Sequence, residues 1–202
     1  MLAAHHITAF VTLLLSAPVA FAAQQTQGID EQAKLPYWEI NDKGMSLRLV
    51  QRLPVQSRAF FLARGFSKAQ VERVANNCIF QTVFKNTSQQ STPSVLEYDL
   101  RDWKVTTGSK SSDMKIREDW IKEWQSIGVA KSQVIAFEWS MYPTAQSYKP
   151  GDYNWGMSDF DLRPGTKFDL QISWQQFGQS HRAVIKNMQC AADINPQPAE
   201  AQ

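Results

Sequence analysis

Residues 166–190 constrain the fold more than any other part of the chain, because they carry the two-residue period of a β-strand. Every second residue from Phe168 to Trp174 is apolar, and the residues between them are charged or polar. A polar connection containing Gly178 follows, and residues 182–190 then form a second strand-like stretch. The pattern predicts an antiparallel hairpin with one apolar face. Such a face has to be buried against another layer of secondary structure.

Several other segments predict short strands. Residues 37–40 and 45–50 flank the turn sequence Asn-Asp-Lys-Gly and predict an opening hairpin. Residues 78–85 are apolar on both faces, which is typical of a central strand. Further strands are predicted over residues 95–100, 103–106 and 134–141.

Helices are predicted in two regions. Pro54 suits the first position of a helix. Four apolar residues then recur on one helical face, which we expect to be buried: Val55, Ala59, Leu62 and Phe66. A capping-box pattern at Ser67 begins a second short helix, so residues 54–75 predict a helix pair. The stretch 116–127 predicts one further amphipathic helix.

Together these elements predict an α+β fold that is mainly antiparallel β. We expect a sandwich-like sheet core that carries the N-terminal helix pair and the further amphipathic helix. The spacing of the strands shows no internal repeat and no domain linker.

Residues 1–22 are typical of a secretory signal peptide. They contain no Lys, Arg, Asp or Glu, are mostly apolar from Ile7 onward, and end in the small-x-small sequence Ala20-Phe21-Ala22. An uncleaved anchor or a buried helix is the alternative, but the apolar run falls short of the roughly 20 residues that span a bilayer. We therefore predict cleavage after Ala22, a periplasmic or secreted location, and no transmembrane segment in the mature chain.

The remaining chain has the length of one domain. Residues 23–35 are polar and Gln-rich and predict a flexible leader. Residues 36–192 contain all the predicted elements and form a single globular domain. Residues 193–202 are rich in Pro, Ala and Gln and predict a disordered tail.

The chain has two cysteines, Cys78 and Cys190, each in an apolar, strand-like stretch. Two cysteines in an exported chain usually pair, because the compartment is oxidising. We therefore predict a structural disulfide that closes a loop of about 110 residues. Two free thiols are the alternative, and the absence of a Cys-x-x-Cys motif argues against a redox-active pair.

Basic residues are concentrated between Lys43 and Lys85, where eight Lys and Arg residues accompany the single acid Glu72. The simpler interpretation is that this segment packs beside the acidic remainder of the same fold. The alternative is a docking face for an anionic partner or lipid headgroups. A nucleic-acid partner is not expected for an exported chain.

An aromatic-rich segment between two predicted strands is the best candidate binding site. Residues 142–157 lack a clear period, and long loops of this kind are often functional. The candidate ligand-binding residues are Tyr142, Tyr148, Asp152, Tyr153 and Trp155. Aromatic side chains on a loop offer rigid contact area with a polar group at one end. The alternative is a loop whose aromatic residues fold back onto the sheet.

A copper site is a second hypothesis, because thioether and imidazole ligands suit copper. The available ligands are Met141, Met157 and His181, with Met188 nearby in sequence. No spacing motif joins them, and the mature chain has one histidine. We therefore predict no metal or other cofactor as the first choice and keep copper handling as the alternative.

Enzyme signatures such as Gly-x-Ser-x-Gly, His-Glu-x-x-His and Gly-x-Gly-x-x-Gly are absent, and no catalytic residue is assigned. A hydrolase with a carboxylate pair remains a third hypothesis, with Asp152, Asp159, Asp161 and Asp169 as candidates. The leading prediction is a non-enzymatic exported binding or accessory protein that engages a protein or small-molecule partner through the aromatic-rich segment.

Overall fold

The computed structural model describes residues 23–42 and 44–194. These residues form a mixed α+β fold with antiparallel sheets, as the sequence predicted. The strands are β1 (Gln24–Ile29), β2 (Pro36–Asp42), β3 (Met45–Gln51), β4 (Ile79–Asn86), β5 (Leu96–Asp99), β6 (Lys104–Thr107), β7 (Lys110–Ser112), β8 (Ala145–Tyr148), β9 (Tyr153–Asp159), β10 (Lys167–Gln176) and β11 (Gln179–Gln189). The helices are α1 (Pro54–Leu62), α2 (Lys68–Ala75), α3 (Arg117–Ser126) and α4 (Lys131–Ser140).

The strands form two sheets in which every paired strand is antiparallel to its neighbour. The first sheet has the order β1-β2-β3-β4-β9. The second has the order β7-β6-β10-β5-β8, and β11 pairs with β10. The β2–β3 and β10–β11 pairs are the two hairpins that the alternating sequence patterns predicted.

Buried side chains from both sheets belong to one apolar cluster. Leu47 and Phe84 of the first sheet share this cluster with Val105 and Leu170 of the second. A second cluster lies on the other face of the first sheet and contains buried residues of all four helices, together with Ile79. Because β4 contributes residues to both clusters, it is the central strand that its two apolar faces indicated.

The predicted disulfide between Cys78 and Cys190 is present. Their Cα atoms are 5.2 Å apart, and the bridge joins positions separated by 112 residues. Cys78 immediately precedes β4, and Cys190 immediately follows β11. The bond therefore ties the first sheet to the second.

One predicted strand was wrong, because residues 134–141 belong to α4 and its C-cap. The segment buries Val134, Phe137 and Met141, which recur at the spacing of one helical face. The Gln133 side chain accepts a hydrogen bond from the backbone N–H of Ala130 (3.2 Å) and so caps the first turn. The apolar residues of this short run suited either a strand or a buried helix, and packing against the other helices decided between them.

Two helices occupy the predicted range 54–75, but α1 presents the opposite face from the one expected. Val55, Ala59 and Leu62 are exposed. Arg58 and Phe61 are buried instead. Phe61 stacks on Phe137, and Arg58 forms ion pairs with Glu72 and Asp193, so aromatic packing and charge pairing set the rotation of the helix.

The predicted leader, residues 23–35, contains strand β1, which pairs with β2 along its whole length. The Gln25 side chain also exchanges two hydrogen bonds with the backbone of Lys186. An alternating apolar pattern could not predict this strand, because five of its six residues are exposed. At the other end, Asp193 of the predicted tail is held by Arg58. The predicted signal peptide and residues 195–202 lie outside the described residues.

Three of the basic residues in the 43–85 segment form ion pairs with acids of the described fold. Arg48 contacts Asp30 and Glu39, Arg58 contacts Glu72 and Asp193, and Arg73 contacts Glu123. Four others form no ion pair with a carboxylate of the described chain: Arg52, Arg64, Lys68 and Lys85. Lys43 lies outside the described residues. None of the described helices has the length and apolar character needed to cross a membrane.

Candidate functional site

The aromatic-rich segment is not one loop, because its residues are divided between two strands in different sheets. Ala145–Tyr148 forms β8 at the edge of the second sheet, and Tyr153–Asp159 forms β9 at the edge of the first. The five candidate binding residues therefore lie in three different environments.

Tyr142 and Tyr148 are core residues. Their hydroxyl oxygens are 2.8 Å apart, and the hydroxyl of Tyr98 lies 3.4 Å from that of Tyr148. The Tyr98 hydroxyl also donates to the backbone oxygen of Pro143. Burial raises the pKa of all three phenols, which stay neutral and hydrogen-bonded to one another. A partner approaching from solvent does not reach either candidate tyrosine.

Asp152 has a local structural role in the turn between β8 and β9. Its Oδ2 atom accepts a hydrogen bond from the backbone N–H of Lys149 (2.9 Å). The backbone oxygen of Asp152 accepts from Asn86 of β4. The residue thus fixes the point at which the chain enters β9.

Tyr153 and Trp155 are exposed, and they project from the same face of β9. Their side chains are 61% and 64% exposed, although large aromatic residues usually lie inside a fold. Lys85 and Val83 of β4 are their cross-strand neighbours. We call this surface, Tyr153 and Trp155 with the free edge of β9, the aromatic edge.

The backbone of the aromatic edge faces away from β4. The backbone N–H of Asn86 donates to the backbone oxygen of Asp152, and the N–H of Phe160 donates to the oxygen of Cys78. Even-numbered positions of β9 therefore direct their backbone groups toward β4. Odd-numbered positions therefore face outward, and the oxygen of Met157 indeed accepts from Tyr142 on that side (2.7 Å). Tyr153 and the carbonyl group of Trp155 have no such neighbour among the described residues.

The C-terminal half of the same edge, at Met157 and Asp159, is closed by the chain that leaves α4 and by the segment that precedes α3. Met141 forms a parallel bridge with Met157, and Lys115 forms an antiparallel bridge with Asp159. Gly156 permits this approach, because a Cβ atom at that position would lie 2.7 Å from both Cα and N of Tyr142. Trp139 precedes the Met141–Met157 bridge by two residues and is 86% exposed, so a third exposed aromatic residue lies close to the edge.

Three of the four candidate carboxylates lie in separate parts of the fold. Asp159 is buried between β9 and the helices, Asp152 lies in the β8–β9 turn, and Asp169 bonds Lys186 on β11. The backbone N–H of Asp161 donates to Asp159 Oδ1 (2.8 Å). Within the described residues, no cluster of three or more His, Cys, Asp or Glu side chains is placed to hold a metal ion.

The four copper candidates are dispersed. Met141 and Met157 belong to the helical cluster, whereas Met188 belongs to the cluster between the sheets. His181 stacks on Trp174 in the second sheet, with ring centroids 5.2 Å apart. The copper hypothesis required Met141, Met157 and His181 to converge. The fold brings Met141 and Met157 together but places His181 in the second sheet, away from both.

A polar cleft of about 540 Å³ lies on the second sheet, between β5, β6, β10 and β11. Its walls carry charges of both signs, from Glu97, Asp102, Lys104 and Arg182. Trp174 also lines the cleft, and its indole N–H has no partner among the described residues. The volume is in the range of small-molecule sites, but mixed charges on an open polar surface do not select one class of ligand. Sequence reasoning did not find this cleft, because its residues come from four strands.

Comparison of the chain with family models, with curated proteins and with solved structures finds no match. The geometry of the aromatic edge and the chemistry of its side chains are therefore the basis for a functional proposal.

Proposed function

We propose that this is an exported, non-enzymatic binding or accessory protein that holds an extended segment of a partner protein along the aromatic edge. One observation carries the proposal: two large aromatic side chains are exposed on this edge strand, and the outward backbone groups of Tyr153 and the carbonyl group of Trp155 have no partner among the described residues. Soluble domains usually cover or charge such an edge, because it pairs readily with another strand. Here the N-terminal half of the β9 edge is left open beside Tyr153 and Trp155.

Strand addition explains both features together. Main-chain hydrogen bonds from an added strand supply affinity, while pockets and surfaces for alternate side chains supply specificity. Tyr153 and the Trp155 carbonyl offer the backbone groups, and the two rings offer rigid contact area at low entropic cost. Trp139, which is exposed and lies two residues before the Met141–Met157 bridge, would extend the aromatic surface on the side where α4 ends.

Export is the second part of the proposal. A cleaved signal peptide over residues 1–22 and a periplasmic or secreted location agree with the disulfide, which forms in oxidising compartments. Sandwich-like packing of the two sheets, joined by that bond, would hold β9 rigidly for a partner. Tyr142 and Tyr148 contribute to this proposal as buried support for β8 and no longer as contact residues.

Photo-crosslinking in the exported fraction tests the contact surface. With a benzophenone amino acid in place of Tyr153, we expect an adduct of defined mass. Trp155→Ala in the same chain should lower its yield by about tenfold or more, because a central aromatic contact typically contributes about 2 kcal/mol or more. The same probe at Phe177, an exposed aromatic residue in the β10–β11 turn, is the control. Equal yields with and without Trp155 would contradict the proposal.

A backbone variant tests strand addition itself. Tyr153→Ala and Tyr153→Pro both remove the ring, but only proline removes the outward N–H group. Proline is tolerated on edge strands where the N–H faces solvent. With the probe moved to Trp139, we expect Tyr153→Pro to crosslink less than Tyr153→Ala while both variants unfold at similar temperatures. Equal crosslinking would restrict the site to side-chain contacts and rule out the added strand.

A further inference from the structure

The outward face of α1 combines an apolar stripe with uncompensated positive charge. Val55, Ala59 and Leu62 recur at helical spacing and are all exposed, with Val55 47% and Leu62 44% accessible. The sequence pattern is that of a buried helical face, yet no described element covers it. The stripe belongs to the helical layer, and the inference drawn from it does not depend on the aromatic edge.

Two arginines share one aromatic ring, that of Phe60, on the flank of α1 about 100° around the helix from Ala59. The guanidinium carbon of Arg64 lies 3.3 Å from the ring centroid of Phe60, and that of Arg52 lies 5.0 Å from it. Arg64 also donates to the backbone oxygen of Phe60 (2.9 Å), and Arg52 donates to that of Gln56 (3.3 Å). The ring and the helix backbone therefore hold both cations on one flank of the outward face of α1.

The charge of this region is not neutralised within the described fold. Arg52, Arg64 and Lys68 form no ion pair there, whereas the neighbouring Arg58 contacts two carboxylates. The first turn of α1 contains no acidic residue, and the Nε atom of Arg52 is buried without a partner. Burial lowers the pKa of Arg52, and the charge of Arg64 lowers it further. This direction is expected for two adjacent cations that have no anion beside them.

We propose that the outward face of α1 docks on the surface of an anionic phospholipid membrane. Val55 and Leu62 would enter the boundary between headgroups and acyl chains, while Arg52, Arg64 and Lys68 contact lipid phosphates. Interfacial helices bind through this combination of apolar burial and attraction to anionic lipid. A fluid lipid surface accepts side chains that protrude singly from a helix, whereas a protein partner needs a matching groove.

Vesicle co-sedimentation of the purified exported chain tests this proposal. We expect binding to vesicles of phosphatidylglycerol and phosphatidylcholine, weak binding to phosphatidylcholine alone, and release in 0.5 M NaCl, because salt screens exposed charges. Arg64→Gln/Lys68→Gln should weaken partitioning by roughly tenfold or more, since each cation near an anionic surface contributes substantially. Leu62→Ser should weaken it by several-fold without changing the salt dependence.

Lys110→Gln/Lys167→Gln is the matched control, because it removes two exposed cations from β7 and β10. All the substituted side chains are exposed, so we expect each variant to keep the wild-type thermal unfolding midpoint. Equal losses in both double variants would reduce the effect to net charge and overturn the docking face. Binding of inorganic phosphate by calorimetry, without vesicle binding, would overturn it in favour of a free-anion site. Retention on immobilised poly-glutamate alone would reassign the face to an acidic protein partner.

Discussion

At the scale of single residues, Asp159 connects β9 to the helical layer. Its Oδ2 atom accepts hydrogen bonds from the Trp120 indole (2.9 Å) and from the Asn77 side chain (3.0 Å). The side chain is buried, and burial raises its pKa to about 7, against the hydrogen bond from the Asp161 backbone and the charge of Lys115, which lower it. A carboxyl group in this position makes the stability of the helical layer depend on pH.

We predict that the free energy of unfolding falls as pH rises from about 4 to about 7. The folded chain binds a proton at Asp159 that the unfolded chain has already lost, so the stabilisation is fully present below the unfolded pKa and disappears as pH approaches the folded pKa. The rise in the Asp159 pKa from 3.8 to about 7 corresponds to roughly 4 kcal/mol of unfolding free energy. Urea unfolding at several pH values measures this slope.

Asp159→Asn is the control for this pH dependence. It keeps the size of the side chain but removes the titration and one acceptor, so we expect lower stability throughout and a flat profile between pH 4.5 and 7. Four other carboxyl groups have lowered pKa values, so they change the stability only at more acidic pH: Asp30, Asp99, Glu118 and Asp169. An unchanged slope in Asp159→Asn would assign the dependence to other groups.

Gly156 determines how closely the chain leaving α4 approaches β9. Gly156→Ala would force its Cβ atom against the backbone of Tyr142 and Met141. Since backbone atoms cannot rotate away as a side chain does, we expect the free energy of unfolding to fall by about 1–3 kcal/mol. Gly28→Ala is the comparison, because its Cβ would meet only the Tyr37 side chain. Chemical unfolding should show a larger loss of stability for Gly156→Ala than for Gly28→Ala. Similar losses would mean that the 141–142 segment shifts to make room for the new Cβ atom.

At the scale of elements, packing decided what short sequence patterns left open. The apolar residues of α4 fit a strand as well as a buried helix, and their contacts with Phe61 and Trp124 selected the helix. The packing of Phe61 and the ion pairs of Arg58 set which face of α1 is buried, although Val55, Ala59 and Leu62 have the spacing of a buried stripe.

At the scale of the whole molecule, the disulfide joins the two sheets over a long loop. Closing a loop of 112 residues restricts the unfolded chain and stabilises the fold by about 4–5 kcal/mol. We therefore expect dithiothreitol to lower the urea midpoint of the wild-type chain markedly. Cys78→Ala/Cys190→Ala should show the lower midpoint with or without reductant. If reductant leaves the wild-type midpoint unchanged while mass analysis shows free thiols, the bond contributes little.

The elements with a clear period and the covalent link could be predicted before the fold was known. The alternation in β10, the two apolar faces of β4, the amphipathic α3 and the pairing of Cys78 with Cys190 follow from local spacing and from cysteine chemistry. Strand β1 was missed because its residues are mostly exposed, and pairing with β2 alone makes it a strand. Composition singled out residues 142–157 but could not tell buried Tyr142 from exposed Trp155. Only the tertiary structure made that division, because burial depends on which neighbours the fold brings to each side of a strand.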